Sequence, residues 1–372
     1  MASRALSLAL FALALPAAAQ KPGSTPGQTA GLAAGPPFDV AARTPHQITA
    51  AIDTEPTRDI LTLLAGGDEA PAALRRLKGS AAARAALRAE ETNAEDFFGR
   101  LVTAATGTPD PLLAGYAAEA PVFRAILDAA ERDGPSMVPL LATRVASLLP
   151  GEPAVTARLV VVPFLGAGGF QEITPARGEG TVYFVVDLPR LLRDAGGRLQ
   201  PREALLRMLR ESGSEAWQTL FSAYFRKPPA WPQEEGADFD ALLAMTVSGG
   251  PPALFLIPDE FFPLDPFFSE PVSRAFDRWN KTAETLLKPE TRETERRDLL
   301  KDAGQGDFWA RYPAIVGAQF ADLLLRQKGR TAYLAALAAG PRAVARLYVE
   351  TVKGTKHPDL SKTVRKALEK GR

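Results

Sequence analysis

The sequence predicts a predominantly α-helical α+β fold: a helical N-terminal layer plus a small sheet packed on one central helix. Three observations lead there. Alanine, leucine and arginine dominate while β-branched residues are scarce, a bias toward helix. Only residues 158–165 and 181–188 read as apolar, β-type runs. Residues 201–225 then read as one long helix, entered through a first-turn proline, with Leu205, Leu206, Leu209, Trp217, Leu220 and Phe221 at helical spacing.

The elements follow in order. Arg4 and the apolar run 5–15, ending in Pro16-Ala17-Ala18-Ala19, form the pattern of a secretory signal peptide over 1–19, its apolar run too short to span a bilayer. Residues 20–37 are rich in Gly, Pro, Ser, Thr and Gln, the composition of a disordered linker. From 38 to 150 the pattern is helix after helix. One helix starts at Asp53-Thr54-Glu55-Pro56 and stops at Gly66-Gly67, another covers 68–89, and Asn93 caps a third that ends at Gly107. Two more span 119–132 and 135–149. The region 151–352 holds the two strands and the central helix. It continues with a proline-aromatic loop, 227–232, and a helix over 237–247 that stops at Ser248-Gly249-Gly250-Pro251-Pro252. A charged helix over 273–303 and core helices over 314–328, 330–338 and 341–352 complete it. The basic tail, 353–372, reads as a solvated terminal helix with Leu360, Val364 and Leu368 on one face.

Charge and residue inventory restrict the chemistry. Lys and Arg number 44 against 43 Asp and Glu, so overall charge gives no case for nucleic acid. Beyond the leader no apolar run reaches the ~20 residues of a transmembrane helix, and no stable membrane insertion is expected. With no cysteine, a thiol nucleophile, a disulfide and a lipoprotein anchor are excluded. The two histidines, His46 and His357, lie near opposite ends of the ordered chain, a poor start for a zinc site. Ser212-Gly213-Ser214 lacks the first glycine and the strand-turn-helix setting of a nucleophile elbow. Gly166-Ala167-Gly168-Gly169 lacks the Lys-Ser/Thr of a phosphate loop and reads as a hairpin or bulge. Carboxylate pairs remain: Glu211 and Glu215 at i, i+4, Glu234-Glu235, and Asp259-Glu260. Arginines at 207 and 210 flank the first pair, and a salt-bridged surface is its ordinary outcome.

The order of motifs is more distinctive than any one of them. Asp53, Thr57, Ile60, Leu61, Leu63 and Leu64 open the helical layer. Strand, glycine-rich turn, strand and central helix follow, then Ser248-Gly249-Gly250-Pro251, then Tyr312-Pro313 leading to Gly317 and Ala321. Over roughly residues 50–350 this resembles secreted bacterial zinc-peptidase-like proteins of the gluzincin type. The resemblance implies a central helix carrying His-Glu-x-x-His and a later helix giving a third ligand in a Glu-Gly pair. Here Arg210 stands at the first histidine, Ser214 at the second and Gly249 at the glutamate, while Glu211 keeps the general-base position. The other register, Arg202-Glu203-x-x-Leu206, lacks the ligands equally. A guanidinium repels zinc, and a base with no metal-bound water has nothing to activate.

The expectation is therefore an exported, periplasmic or extracellular, non-catalytic pseudo-peptidase without metal or cofactor. It would bind a peptide or protein through a vestigial cleft between the central helix and the 226–270 segment. Two alternatives stand beside it: a hydrolase using carboxylates alone, through Glu211 and Glu215 or Asp259 and Glu260, and a structural or assembly protein of the cell envelope.

Overall fold

The computed structural model describes residues 44–108, 110–166, 173–178, 181–194, 199–225, 238–256, 269–306 and 310–370. The leader and linker, residues 167–169 of the glycine-rich turn, the 227–232 loop, Glu234, Glu235, Asp259 and Glu260 lie outside the described residues.

The fold is α+β and mainly helical, built on a four-stranded sheet of order β1-β2-β4-β3. Strand β2 (Thr156–Phe164) lies at the centre, parallel to β1 (Gln47–Ile52) on one side and to β4 (Thr181–Asp187) on the other. Strand β3 (Ile173–Gly178) runs antiparallel to β4 at the far edge, where Pro175, opposite Phe184, is tolerated. Leu159, Val160, Val161 and Val162 are consecutive and all buried, so both faces of β2 are covered, as a parallel sheet requires. Strands β2 and β4 match the two apolar runs. Strand β1 lies within the stretch read as wholly helical: Gln-Ile-Thr-Ala-Ala-Ile is short and weakly apolar, and only pairing with β2 makes it a strand.

Between β1 and β2 come α1 (Glu55–Ala65), α2 (Ala70–Gly79), α3 (Ala81–Ala89), α4 (Ala94–Ala105) and α5 (Pro111–Ser147). The helix expected over 68–89 is two, because Ser80 turns extended and its side chain accepts the Ala83 N–H to start α3. Asn93 caps α4 by accepting from Glu95 and Asp96 N–H, and Asp110 caps α5 by accepting from Leu112 and Leu113 N–H. The two helices expected over 119–149 are one, running through Pro121, Pro135 and Pro139. Its far end is held by side chains from elsewhere. Trp217 Nε1 donates to Leu148 O at 3.0 Å and Arg330 Nε to Ser147 O at 2.6 Å, supplying donors the last turn lacks.

After β4 come α6 (Leu188–Asp194) and the central helix α7 (Pro201–Tyr224), which crosses β2, β3 and β4 and packs on α5. Helices α1, α3 and α5 also pack on the sheet. The elements of the remaining described residues are helices: α8 (Asp238–Leu256), α9 (Ser269–Leu286), α10 (Glu293–Gly304), α11 (Tyr312–Gln327), α12 (Gly329–Ala339), α13 (Pro341–Val352) and α14 (Lys362–Lys370). The charged helix expected over 273–303 is thus broken into α9 and α10. Helix α8 does not stop at Ser248 but runs on through Gly249, Gly250, Pro251 and Pro252. By length and composition it could cross a membrane, yet most of it is buried within the protein. Its closest neighbour is α11, and there backbone meets backbone. A Cβ added at Gly317 would lie 1.9 Å from Thr246 O, and one at Gly250 2.3 Å from Gly317 O. The tail belongs to this body: Leu360, Val364 and Leu368 are buried, and α14 packs on α13 and α9.

Candidate functional site

The residues singled out on α7 sit where that helix passes from the sheet to α8. Pro201 starts the helix and Ala204, Leu205, Met208 and Leu209 bury one side of its first half. Arg210 and Glu211 follow, both half-buried, then Ser212, Gly213 and Ser214, all buried. Glu211 accepts from Arg207 Nε at 2.8 Å, an i, i+4 pair on the same helix. Gln218 Nε2 reaches Ser214 Oγ at 3.5 Å, and the buried Ser212 Oγ has no partner.

Gly213 marks the tightest point. A Cβ there would stand 2.6 Å from both Leu141 of α5 and Phe255 of α8, so three helices meet across a glycine. Position 249 is turned elsewhere. A side chain at Gly249 would meet Ala314 of α11 first, 3.1 Å away at its Cα, its three nearest neighbours all being atoms of that residue. Helix α7 brings Arg210, Glu211 and Ser214 together; the structure does not direct Gly249 at them. Among the described residues no group of three or more His, Cys, Asp and Glu side chains is placed to hold a metal ion.

No family model, curated protein or solved structure matches this chain.

The carboxylate pair on α7 is divided between two cations. Glu211 is held by Arg207, whereas Glu215 is pushed above the ordinary glutamate value by burial, an effect that Arg311 partly offsets. Paired general acid and base chemistry needs both groups to face one substrate volume. Glu211 instead lies along its own helix toward Arg207.

Sequence reasoning passed over a buried carboxylate at the end of β4. Asp187 is 4% exposed, and burial raises its pKa. Nearby, Tyr116 Oη donates to Gly166 O at 2.9 Å just past the end of β2. The carboxyl ends of parallel strands are the usual ligand edge of an open α/β sheet, at the point where strand order reverses. Here β1, β2 and β4 succeed each other in one direction, without reversal. Asp187 Oδ1 accepts from Arg190 N–H at 3.0 Å, which makes it the cap of α6. The signal was present as Asp187-Leu188-Pro189, a cap residue followed by a first-turn proline.

His46 and His357 are not brought together as ligands. His357 is half-exposed in the connection before α14. His46 is buried beside the end of α5: its Nδ1 accepts from Val155 N–H at 3.1 Å and its Nε2 has no hydrogen-bond partner. Burial lowers its pKa, and the Arg330 charge adds to this. Contacts with the backbone of Pro150 and Leu149, and the Glu152 charge, act the other way.

The burial of His46 makes stability depend on pH. As pH falls below the ordinary histidine value, the unfolded chain takes up a proton that folded His46 refuses. Stability is present above about pH 6.5 and is lost below it, with a slope of at most about 1.4 kcal/mol per pH unit. Asp53, Asp187 and Glu215, raised by burial, act in the opposite sense. Asp110, Glu131 and Asp133 are lowered by Arg100, Arg58 and Arg132, and lose their contribution only in the more acidic carboxylate range. Thermal melts at pH 7.5, 6.5 and 5.5 are expected to fall on acidification in the native protein. In His46→Asn, which keeps an acceptor for Val155 without titrating, they are expected to flatten. An unchanged slope in that variant would place the proton elsewhere.

Proposed function

We propose that this chain is an exported, non-catalytic protein acting as a structural or assembly component of the cell envelope. On this reading its motif order derives from a zinc-peptidase-like ancestor whose ligand positions no longer carry donors. The observation that carries the reading is the close packing of the central helix at Gly213. Gly213, next to Ser214, lies against Leu141 and Phe255, where a working site on that face of α7 would need an open volume. Arg210 cannot serve as a ligand, and Ser214 is buried. The base position, Glu211, is occupied with Arg207. Export rests on the leader pattern over 1–19.

Zinc titration followed by calorimetry is expected to give no stoichiometric binding, and peptide and glycoside substrates no turnover. Glu211→Gln is expected to change stability by under about 1 kcal/mol, as for a partly exposed i, i+4 pair. One tight zinc site per chain, or a hydrolytic activity abolished by Glu211→Gln, would overturn the proposal.

A further inference from the structure

The last helix carries a charge pattern that the balanced total conceals. Residues 353–370 contain Lys353, Lys356, Lys362, Arg365, Lys366 and Lys370 against Asp359 and Glu369, in a chain with 44 cations and 43 anions. Their arrangement is fixed by what holds α14 down. Leu360, Val364 and Leu368 are buried. From α13, Arg346 Nε donates to Leu368 O at 2.7 Å and Arg342 Nη1 to Ala367 O at 3.4 Å, tying down the last turn. At the other end Asn280 of α9 clamps the approach, donating to Asp359 O at 3.2 Å and accepting from Ser361 N–H at 2.9 Å. Tyr348 Oη donates to Pro358 O at 2.6 Å.

A helix anchored along one side and at both ends presents its other side without freedom to roll. Lys362, Lys366 and Lys370 recur at i, i+4 and i+8, opposite the buried stripe at 364 and 368, and all three are exposed. They form a row about 12 Å long. Lys353 and Lys356 are also exposed, in the connection at the end where α14 begins. Arg365 is engaged with Asp359 at 2.6 Å, but none of the five lysines forms an ion pair among the described residues. Thr363 and Ala367 flank the row on one side and Arg365 and Glu369 on the other, so the face carries more positive than negative charge, with no aromatic for stacking on a base and no large apolar side chain to insert.

We propose that this face of α14 docks the protein on an anionic phospholipid surface. A straight, convex row of unpaired ammonium groups on a rigid body matches a planar array of negative headgroups. Each lysine near such a surface adds a comparable increment, and salt weakens all of them. The binding is peripheral, and it does not depend on the non-catalytic reading, because the measurement is of partition and not of activity.

The test uses the full chain and co-sedimentation with vesicles. Partition is expected into mixed phosphatidylglycerol–phosphatidylcholine vesicles at low salt, to weaken at high salt, and to be negligible with phosphatidylcholine alone. Combining Lys362→Gln, Lys366→Gln and Lys370→Gln is expected to reduce partition about a hundredfold. Its melting temperature should match that of the native protein. Arginine at the same three positions is expected to retain binding. Equal partition into neutral vesicles, or an unaffected triple glutamine variant, would overturn the proposal. So would a duplex DNA fragment that binds more tightly than the anionic vesicles and competes them off.

Discussion

Gly317→Ala is expected to destabilise the protein by about 3 kcal/mol or more, although alanine is the better helix former by about 1 kcal/mol. The added methyl would lie 1.9 Å from Thr246 O and 2.9 Å from Gly250 N. Both are backbone atoms inside α8, and neither has a rotamer to move into. Relief requires α8 and α11 to separate, and that separation is resisted on both sides. On α8, Thr246 is tied to Trp279 of α9, whose Nε1 donates to Thr246 Oγ1 at 2.7 Å. On α11, the buried Phe320 stacks on Tyr348 of α13 with centroids 4.0 Å apart. Overpacking in a core ordinarily costs about 1–3 kcal/mol, and a clash between two backbones belongs at or beyond the upper end. Against a total stability of about 5–15 kcal/mol that is a large share. Gly99→Ala is the matched control. Gly99 sits inside α4, exposed, with nothing within 4 Å of an added Cβ, so the same change there is expected to stabilise by about 0.5–1 kcal/mol. Urea titrations of the two variants should move in opposite directions. A native-like midpoint for Gly317→Ala would mean that α8 and α11 do not touch through their backbones.

The same seam shows where sequence reading succeeds and where it stops. Ser248-Gly249-Gly250-Pro251-Pro252 has the local signature of a helix end, because glycine and proline both disfavour helix interiors. The helix continues because α11 needs the backbone of α8 bare at that point, and this requirement comes from a distant stretch of chain. Gly317 and Ala321 stood out in the sequence as a spaced pair. At Gly317 the reason is close approach between helices, and its spacing from Ala321 carries no chemistry. Pro135 likewise reads as a break, yet α5 passes through it, packed on β1 and α7 and held at its end by Trp217 and Arg330. Where one local signal was sufficient, the reading succeeds: Pro201 at the head of α7, Asn93 at the head of α4, the valine runs of β2 and β4. Arg210, Glu211 and Ser214 were legible as neighbours because helical spacing alone places them. The direction of Gly249 was not legible, since it depends on which helix lies opposite.

Trp217→Ala is the second change with a large expected effect, and it reaches beyond its own cavity. Trp217 is fully buried and stacks on Phe221 at 4.5 Å with the rings 12° apart; Phe221 stacks in turn on Phe225 at 5.8 Å. Helical i, i+4 spacing makes this a ladder along α7, and His46 closes it edge-on against Phe225 at 6.2 Å. Truncation removes the largest rung at a cost of about 3–5 kcal/mol. It also leaves Leu148 O, at the end of α5, without its donor, for about 1 kcal/mol more. Trp217→Phe keeps a ring for the stack and loses the N–H, so its cost is expected to fall well below that of alanine. The comparison in urea separates packing from hydrogen bonding. The ladder also links this variant to the acid response. If Trp217 keeps Phe225 pressed on the imidazole, Trp217→Ala admits water to His46 and its pKa returns toward the ordinary value. The loss of stability between pH 7.5 and 5.5 should then be shallower than in the native protein. Trp217→Ala and His46→Asn should combine non-additively, by about 0.5 kcal/mol or more. Strict additivity, with an unchanged acid slope, would show that the ladder ends at Phe225 and that His46 is shielded from water by the 149–155 connection alone.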